Sequence, residues 1–365
     1  MPSFDHRAHA SRRRILTSLA ALGASAVLPG AVRAQTAAPS AAAKPPSRSV
    51  IDCHFHYYPP EYKAAWQGFM DKTGQPPLPP LVRTWTPQWA VDQMDKAGIA
   101  ISVLSLPSTP AVWFGADKDG MQKMSRLCNE FAAKMVRDYP GRFGLFASLP
   151  MPDVDGSLKE IDYVLGTLKA DGINLMTSFG DKWPGDPAYD AVFQELNRRK
   201  AIVYFHPYAP NCCAGLMPTV GESWIEYPYD TGRTVTNLLF TGSLVRFRDI
   251  KWMFSHGGGA IPYLAGRIRN QSRIAKNLAE VAPNGTDAEL QRLYYETANA
   301  AYPPTLAALT KFVPITNILY GSDLPYLSEE QNLEGLRSYG FSKQSLAAIE
   351  HGNALRLMPR LKIKS

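Results

Sequence analysis

The chain has 365 residues, of which 45% are hydrophobic, and a formal net charge of +7. This length and apolar content are sufficient for a large buried core and exclude a wholly disordered protein. Residues 1–34 contain five arginines and one aspartate, so the rest of the chain has 34 basic and 31 acidic residues and a net charge of only +3. That balance argues against a nucleic-acid-binding protein.

The N-terminal segment is typical of an export signal. Three consecutive arginines beginning at Arg12 precede an apolar stretch that closes on small residues at Ala34. We predict that residues 1–34 are a twin-arginine signal peptide that directs the protein to the periplasm. The apolar stretch is short and rich in Ala, Gly and Ser, which argues against an integral membrane span, although an uncleaved anchor is the alternative. Residues 35–47 are expected to be a flexible leader, and residues 48–365 the folded domain.

Eight short runs rich in β-forming residues follow. We predict strands at residues 49–56, 99–107, 142–150, 171–179, 201–208, 250–258, 293–299 and 315–323. Helical periodicity lies between several of them, at residues 87–98, 121–140, 157–172 and 188–200. Strands that alternate with helices favour parallel pairing, and eight such units predict an α/β fold of the (β/α)₈ barrel type.

An open, doubly wound sheet is the alternative fold. Its dinucleotide-binding version has a glycine-rich turn after the first strand, and the sequence there, "IDCHFHYYPP", has none. Residues 209–231 are too long for an ordinary strand-to-helix connection, so we expect them to cap the mouth of the barrel.

Four of the predicted strands end in a histidine or an acidic residue, where a barrel of this type carries its functional groups. On the first strand, the alternation of side chains places His54 and His56 on one side and turns Cys53 and Phe55 toward the helices. Two imidazoles on one face of a strand can share a divalent metal ion.

Three further residues end the fifth, sixth and eighth strands: His206, His256 and Asp323. A nitrogen from His206 and an oxygen from Asp323 would complete a ligand set suited to zinc. Each signal is weak alone, because a single histidine is more often a hydrogen-bonded core residue. Together, at one height of one barrel, they predict a metal site, whereas His351 lies in a C-terminal helical stretch and is expected to be solvated or to cap a helix.

The four cysteines are too few for a disulfide scaffold. We predict that all four are unpaired. Cys212 and Cys213 are adjacent in the sequence and are expected to be poorly placed to bridge each other.

These motifs resemble the amidohydrolase superfamily. The stretches "IDCHFHYYPPEY", "FHPY", "FSHGGGAIPYLAGRI" and "LYGSDLPY" are similar to its branch of metal-dependent decarboxylases, which includes 2-amino-3-carboxymuconate-6-semialdehyde decarboxylase. The run from "FASLPMPD" to "YPYDTGRT" resembles the 6-methylsalicylate decarboxylases more closely. The resemblance covers residues 50–357, nearly the whole predicted mature chain.

The resemblance implies one divalent ion held by His54, His56, His206 and Asp323, with His256 as a catalytic group that does not bind the metal. The predicted fourth strand, "DGINLMTSF", lacks the lysine that two-metal members carry, which indicates a single ion. Several aromatic acid decarboxylases of this branch have glutamate at the position of His54 and often use manganese. The nitrogen ligand here favours zinc, with manganese as the alternative.

Arg267 lies eleven residues after His256 and matches a family arginine that binds a substrate carboxylate in the neighbouring subunit of a dimer. The resemblance therefore implies a homodimer and a small carboxylate substrate, and a solvated surface arginine is the alternative. A second family arginine has no counterpart in register, since Arg83 is only nearby. We expect the arrangement of carboxylates on the substrate to differ accordingly.

The favoured function is loss of CO₂ from an acid of the ortho-hydroxybenzoate or 6-methylsalicylate type, in which either Asp323 delivers the proton to the ring carbon or His256 first activates a water molecule. The same residues suit metal-dependent hydrolysis of a lactone or amide. A periplasmic binding protein without catalysis is a third hypothesis, which the presence of His256 disfavours. Aromatic residues near the expected mouth favour a flat substrate, with ordinary packing of long loops as the alternative for each of them. They are Tyr57, Tyr58, Trp113, Phe114, Trp183, Tyr208, Trp224, Tyr227, Tyr229 and Tyr326.

Overall fold

The computed structural model describes residues 49–107, 114 and 117–363. The predicted signal peptide, the predicted leader and Trp113 lie outside these residues. Within them, eight parallel strands pair in chain order. The strands are β1 Val50–His56, β2 Ile99–Ser105, β3 Phe143–Ser148, β4 Gly172–Met176, β5 Ile202–His206, β6 Lys251–Phe254, β7 Tyr294–Glu296 and β8 Ile318–Leu319. This order confirms the predicted barrel, and the doubly wound alternative is wrong.

Backbone hydrogen bonds join β1 to the segment that follows β8. The Cys53 N–H donates to the Tyr320 carbonyl at 2.9 Å, and the His56 N–H donates to the Leu324 carbonyl at 3.0 Å. In return, the Asp323 N–H donates to the His54 carbonyl at 2.9 Å. The barrel therefore closes beyond the two-residue β8, and this closure brings Asp323 beside the histidines of β1.

Helices surround the strands. Those between β1 and β5 are α1 Pro60–Thr73, α2 Pro80–Thr84, α3 Pro87–Ala97, α4 Lys118–Asp138, α5 Val154–Ile161 and α6 Asp190–Arg198. Those between β5 and β8 are α7 Glu222–Phe240, α8 Ser243–Arg246, α9 Ile261–Gln271, α10 Leu278–Val281, α11 Thr286–Gln291 and α12 Pro303–Phe312. The chain ends with α13 Glu329–Ser338, α14 Lys343–Ala347 and α15 Asn353–Leu357. All four predicted helical segments are present, and α5 continues as a π-helical turn over Asp162–Thr167.

The apolar core consists of an inner cluster inside the barrel and an outer cluster between strands and helices. Phe55 packs in the outer cluster as predicted, but Cys53 belongs to the inner cluster with Ile101 and Tyr204. The prediction for Cys53 is wrong because the pairing of β1 with β2 shifts register between Asp52 and Phe55, which interrupts the alternation of side chains.

Two local features differ from the sequence prediction. The segment predicted to cap the mouth, residues 209–231, is not one loop, because α7 already begins at Glu222. Arg233 lies inside α7. The cysteines are unpaired as predicted, but the Sγ atoms of Cys212 and Cys213 lie in contact at 3.1 Å, which the sequence prediction did not anticipate.

Among the helices of the described residues, none combines the length and the apolar character needed to cross a bilayer.

Two helical glycines offer a matched test of the packing. A Cβ at Gly335 in α13 would lie 2.2 Å from the Ala301 carbonyl oxygen, whereas a Cβ at Gly266 in α9 would meet nothing within 4 Å. We expect Gly335→Ala to lower the free energy of unfolding by about 1–3 kcal/mol through overpacking. Gly266→Ala should raise it by up to about 1 kcal/mol, since alanine favours a helix more than glycine does. Urea denaturation of both variants measures this, and equal effects would contradict the packing of α13.

Candidate metal centre

Four side chains meet inside the C-terminal end of the barrel: His54, His56, His206 and Asp323. One ligand atom from each lies within 4.8 Å of all the others, and all four residues are buried. His54 and His56 come from β1, His206 ends β5, and Asp323 follows β8. The structure thus brings together the four residues that were predicted to bind a metal ion.

The two histidines of β1 are oriented by acceptors behind their rings. Nδ1 of His54 lies 2.7 Å from Oε1 of Glu296, and Nδ1 of His56 lies 3.2 Å from the Ser105 carbonyl oxygen. Because a carboxylate and a carbonyl can only accept, each Nδ1 carries the hydrogen, and a neutral ring then has its lone pair on Nε2. The two Nε2 atoms face each other at 3.1 Å. Two such lone pairs repel unless a proton or a metal ion lies between them.

His206 adds a third nitrogen with the same orientation. Its Nδ1 lies 3.1 Å from the Pro207 carbonyl oxygen, so Nε2 again holds the lone pair. That Nε2 is buried and has no hydrogen-bond partner in the described structure. A buried acceptor without a partner costs free energy, and here it points toward three other acceptors. These donor atoms fit a divalent transition-metal ion.

The electrostatics of the site favour one concentrated positive charge among these ligands. Burial lowers the pKa of His54, but the carboxylates of Glu296 and Asp323 outweigh burial and raise that pKa to about 10. Burial also lowers the pKa of His206 well below its usual value, and the neighbouring histidines add to this effect. Asp323 behaves oppositely: burial raises its pKa, yet His54 and His256 hold it well below the ordinary range. Two ionised carboxylates, Asp323 and Glu296, match the charge of a divalent ion.

Glu296 is the functional residue that the sequence analysis missed. It is the last residue of β7 and is completely buried, with Oε1 accepting from His54 Nδ1 and from the His256 N–H at 2.9 Å. Its other oxygen accepts from the Ala298 N–H at 2.6 Å. The signal was present in part, because Glu296 is an acid within the predicted seventh strand, but that strand was predicted to continue to Asn299. Gly321 makes room for it, since a Cβ there would lie 1.9 Å from Oε2.

His256 lies beside the four ligands rather than among them. Its Nε2 is 3.3 Å from Oδ2 of Asp323, while Oδ1 of Asp323 faces His54 at 3.2 Å and His56 at 3.1 Å. His256 belongs to the turn that follows β6 and has a left-handed backbone conformation, with φ of 53°. Asp323 therefore joins the metal ligands to a histidine outside the ligand set.

A cavity of about 780 Å³ opens from this centre. His206, His256 and Asp323 lie at its base, and none of the described residues that line it is a lysine or an arginine. Its walls are largely aromatic and apolar. They include Trp66, Met70, Pro79, Trp224, Tyr227, Pro228, Tyr326 and Leu327. Residues of α7 thus border the cavity, as the capping prediction requires, and three of the predicted aromatic residues line it.

Other predicted aromatic residues lie elsewhere. Tyr57 and Tyr58 are buried in the outer core cluster. Trp183 donates its Nε1–H to Asp230, and Tyr229 is half exposed. The expectation of a flat substrate therefore depends on Trp224, Tyr227 and Tyr326, to which the structure adds Trp66.

Arg267 is not part of this cavity in a single chain. It lies on the exposed face of α9, one helical turn after Tyr263, which is 86% exposed. Its role in binding the substrate remains a prediction.

Two fungal relatives are similar over most of the chain. A 6-methylsalicylic acid decarboxylase from Penicillium expansum is 30% identical over 318 residues, which cover 86% of this chain and 97% of the relative. The decarboxylase yanB of Aspergillus niger is 33% identical over 329 residues, covering 86% of this chain and 88% of the relative.

Solved structures share the fold. A crystal structure described as amidohydrolase II superimposes with a TM-score of 0.77 at 27% identity, covering 85% of this chain and all of the other. A dihydroxybenzoic acid decarboxylase from Polaromonas, solved with manganese and 2-nitroresorcinol, gives a TM-score of 0.75 at 22% identity, covering 86% and 98%. The amidohydrolase family itself matches residues 51–360. The resemblance in the sequence is therefore confirmed, and the chain belongs to the amidohydrolase family.

Proposed function

We propose that the protein is a metal-dependent carboxy-lyase that removes CO₂ from a small aromatic acid of the 6-methylsalicylate or ortho-hydroxybenzoate type. One geometric observation carries the proposal: Asp323 turns one oxygen to the metal ligands and the other to His256, at the base of an aromatic cavity. The relatives named 6-methylsalicylic acid decarboxylase and decarboxylase yanB support decarboxylation over hydrolysis.

The chain's own groups would hold the substrate and move its proton. Trp224, Tyr227 and Tyr326 can enclose a flat ring. Loss of CO₂ leaves an electron pair on the ring carbon, and His256 together with Asp323, which lie in contact at the cavity base, would supply the proton that this carbon needs. A divalent ion at the four ligands would supply the positive charge that orients the substrate's carboxylate and hydroxyl oxygens.

Zinc is the proposed metal, with manganese as the alternative. Three imidazole nitrogens and one carboxylate oxygen are a ligand set that zinc favours, and zinc binds such sites more tightly than manganese. Manganese stays the alternative because the Polaromonas structure contains it. Elemental analysis of protein purified without added metal distinguishes the two.

Glu296→Gln tests the orientation of His54. Loss of the charged acceptor should weaken metal affinity by roughly 10- to 100-fold, since residues that orient a ligand tune its basicity. Titration of metal-free protein with zinc measures the affinity. The matched control is Glu289→Gln, because Glu289 is equally buried but pairs with Arg248 and Arg292 away from the centre. That control should leave the affinity unchanged, and equal weakening in both variants would contradict the role of Glu296.

His256→Asn tests the reaction. We expect wild-type protein to release CO₂ from 6-methylsalicylate or a related hydroxybenzoate, and the variant to be slower by about 10²- to 10⁴-fold with unchanged metal content. His351→Asn, outside the site, should retain the wild-type rate. If the metal-loaded protein instead hydrolyses lactones and releases no CO₂ from any hydroxybenzoate, the hydrolase hypothesis is correct.

We also propose a homodimer in which Arg267 reaches the partner's cavity. The described lining of the cavity has no cationic side chain, while Arg267 and the exposed Tyr263 share one face of α9. Arg267→Ala should raise the KM for the carboxylate substrate. Mixing Arg267→Ala subunits with His256→Asn subunits should restore activity. If subunits exchange at random in a two-fold dimer, about a quarter of all sites should contain both wild-type residues. Sedimentation as a monomer, or no restoration, would contradict the proposal.

Export through the twin-arginine signal is likewise proposed from the sequence. Replacement of Arg12 and Arg13 by lysine should keep the protein in the cytoplasmic fraction.

A further inference from the structure

Two thiols lie in contact on the segment between β5 and α7, residues 207–221. The Sγ atoms of Cys212 and Cys213 are 3.1 Å apart. Side chains of adjacent residues in an extended segment point in opposite directions, so this contact requires a turn. The backbone provides one, since the N–H groups of Cys213 and Ala214 both donate to the Pro210 carbonyl, at 2.9 and 3.0 Å.

The surroundings of this pair differ from those of the other two cysteines. Cys212 is exposed and Cys213 is partly exposed, and Nη2 of Arg233 donates to Cys213 Sγ at 3.4 Å. Cys53 and Cys128 are buried, and burial raises the pKa of each thiol well above its usual value. Reactive thiols occur in exposed, electropositive places, whereas buried thiols are inert.

The contacts also assign different roles to the two sulfurs. The hydrogen bond with Cys212 raises the pKa of Cys213 to about 11, and burial adds to the rise. Cys213 therefore keeps its proton and can donate it to the Cys212 sulfur. Cys212 is the more exposed member of the pair, so peroxide from solution reaches its sulfur first.

We propose that Cys212 and Cys213 form a peroxide-sensitive dithiol, a modification site that is independent of the metal centre. The Cys212 thiolate attacks hydrogen peroxide, forming Cys212 sulfenic acid and releasing hydroxide. The Cys213 thiol then attacks the Cys212 sulfur, forming the S–S bond and releasing water. Two thiols are oxidised to one disulfide, and the peroxide is reduced to water.

The product should be easily reduced. Consecutive Cα atoms are about 3.8 Å apart, whereas the Cα atoms of ordinary disulfides are about 4.4–6.8 Å apart. A disulfide between adjacent residues is therefore strained, and strained, exposed disulfides are the labile ones. The modification is accordingly reversible rather than structural.

The site also borders the helix that lines the cavity. Arg233, which contacts Cys213, belongs to α7 and lies 3.8 Å from the carboxylates of Glu226 and Asp230. Tyr227 and Pro228 of the same helix line the cavity. Formation of the disulfide would change the contact between the Cys213 sulfur and Arg233.

The test treats the reduced, metal-loaded protein with stoichiometric hydrogen peroxide and analyses its peptides by mass spectrometry. The wild-type peptide that carries both cysteines should lose two hydrogen atoms, and dithiothreitol should restore them. Cys213→Ser should stop at the sulfenic acid, which dimedone traps at Cys212. Cys212→Ser should give no dimedone adduct at Cys213. Cys53 and Cys128 serve as internal controls that stay reduced.

Three outcomes would overturn the proposal. In the first, both thiols remain reduced while exposed methionines are oxidised. In the second, dimedone labels Cys213 in Cys212→Ser but does not label Cys212 in Cys213→Ser. In the third, wild-type Cys212 is overoxidised to the sulfinic acid as fast as it is in Cys213→Ser, which would mean that Cys213 does not capture the sulfenic acid.

Discussion

The repulsion among converging acceptor atoms is the constraint on which the site depends. The Nδ1 hydrogens of His54, His56 and His206 are committed to acceptors behind the rings, so three lone pairs point at one another and at Asp323. Such an arrangement in a buried place is unfavourable without a cation, because the groups that face the nitrogens, namely one another and the Asp323 carboxylate, are also acceptors. Glu296 supplies the additional negative charge that a divalent ion requires. The fold therefore determines both where a metal ion would bind and which charge it would carry.

The backbone around the site adopts unfavourable conformations. His256, Asn299 and Asp323 follow three neighbouring strands, and each has a left-handed conformation, with φ of 53°, 55° and 65°. Such conformations cost about 1–3 kcal/mol each in residues other than glycine, and they persist where the surrounding structure fixes them. Here the surrounding structure includes Asp52, whose carboxylate accepts from the N–H groups of His54 and Ser322 at 2.9 and 3.0 Å. Asp52 thus links the backbone of His54 to the backbone of Ser322, which precedes Asp323.

The sequence predicted the barrel and all four metal ligands because strand alternation and strand ends are local properties. His54 and His56 are two residues apart on one strand, and no knowledge of long-range packing is needed to place them together. Glu296 was missed because its function depends on its contact with His54, 242 positions away in the chain. The inward position of Cys53 and the start of α7 at Glu222 were mispredicted for similar reasons. A register shift and a helix that contains a proline depend on tertiary contacts, which outweigh local propensity.

The charge of the cavity limits the acids that the site can accept. Its described lining contains no lysine or arginine, so within one chain a substrate carboxylate can be balanced by the metal ion alone. A second carboxylate on the substrate would be buried against aromatic walls without a partner, which is strongly unfavourable. In the homodimer proposed above, Arg267 of another subunit would add one positive charge, and a single arginine compensates a single negative charge. Within one chain, the arrangement therefore suits an acid with one carboxylate and an uncharged ring better than an acid with two carboxylates.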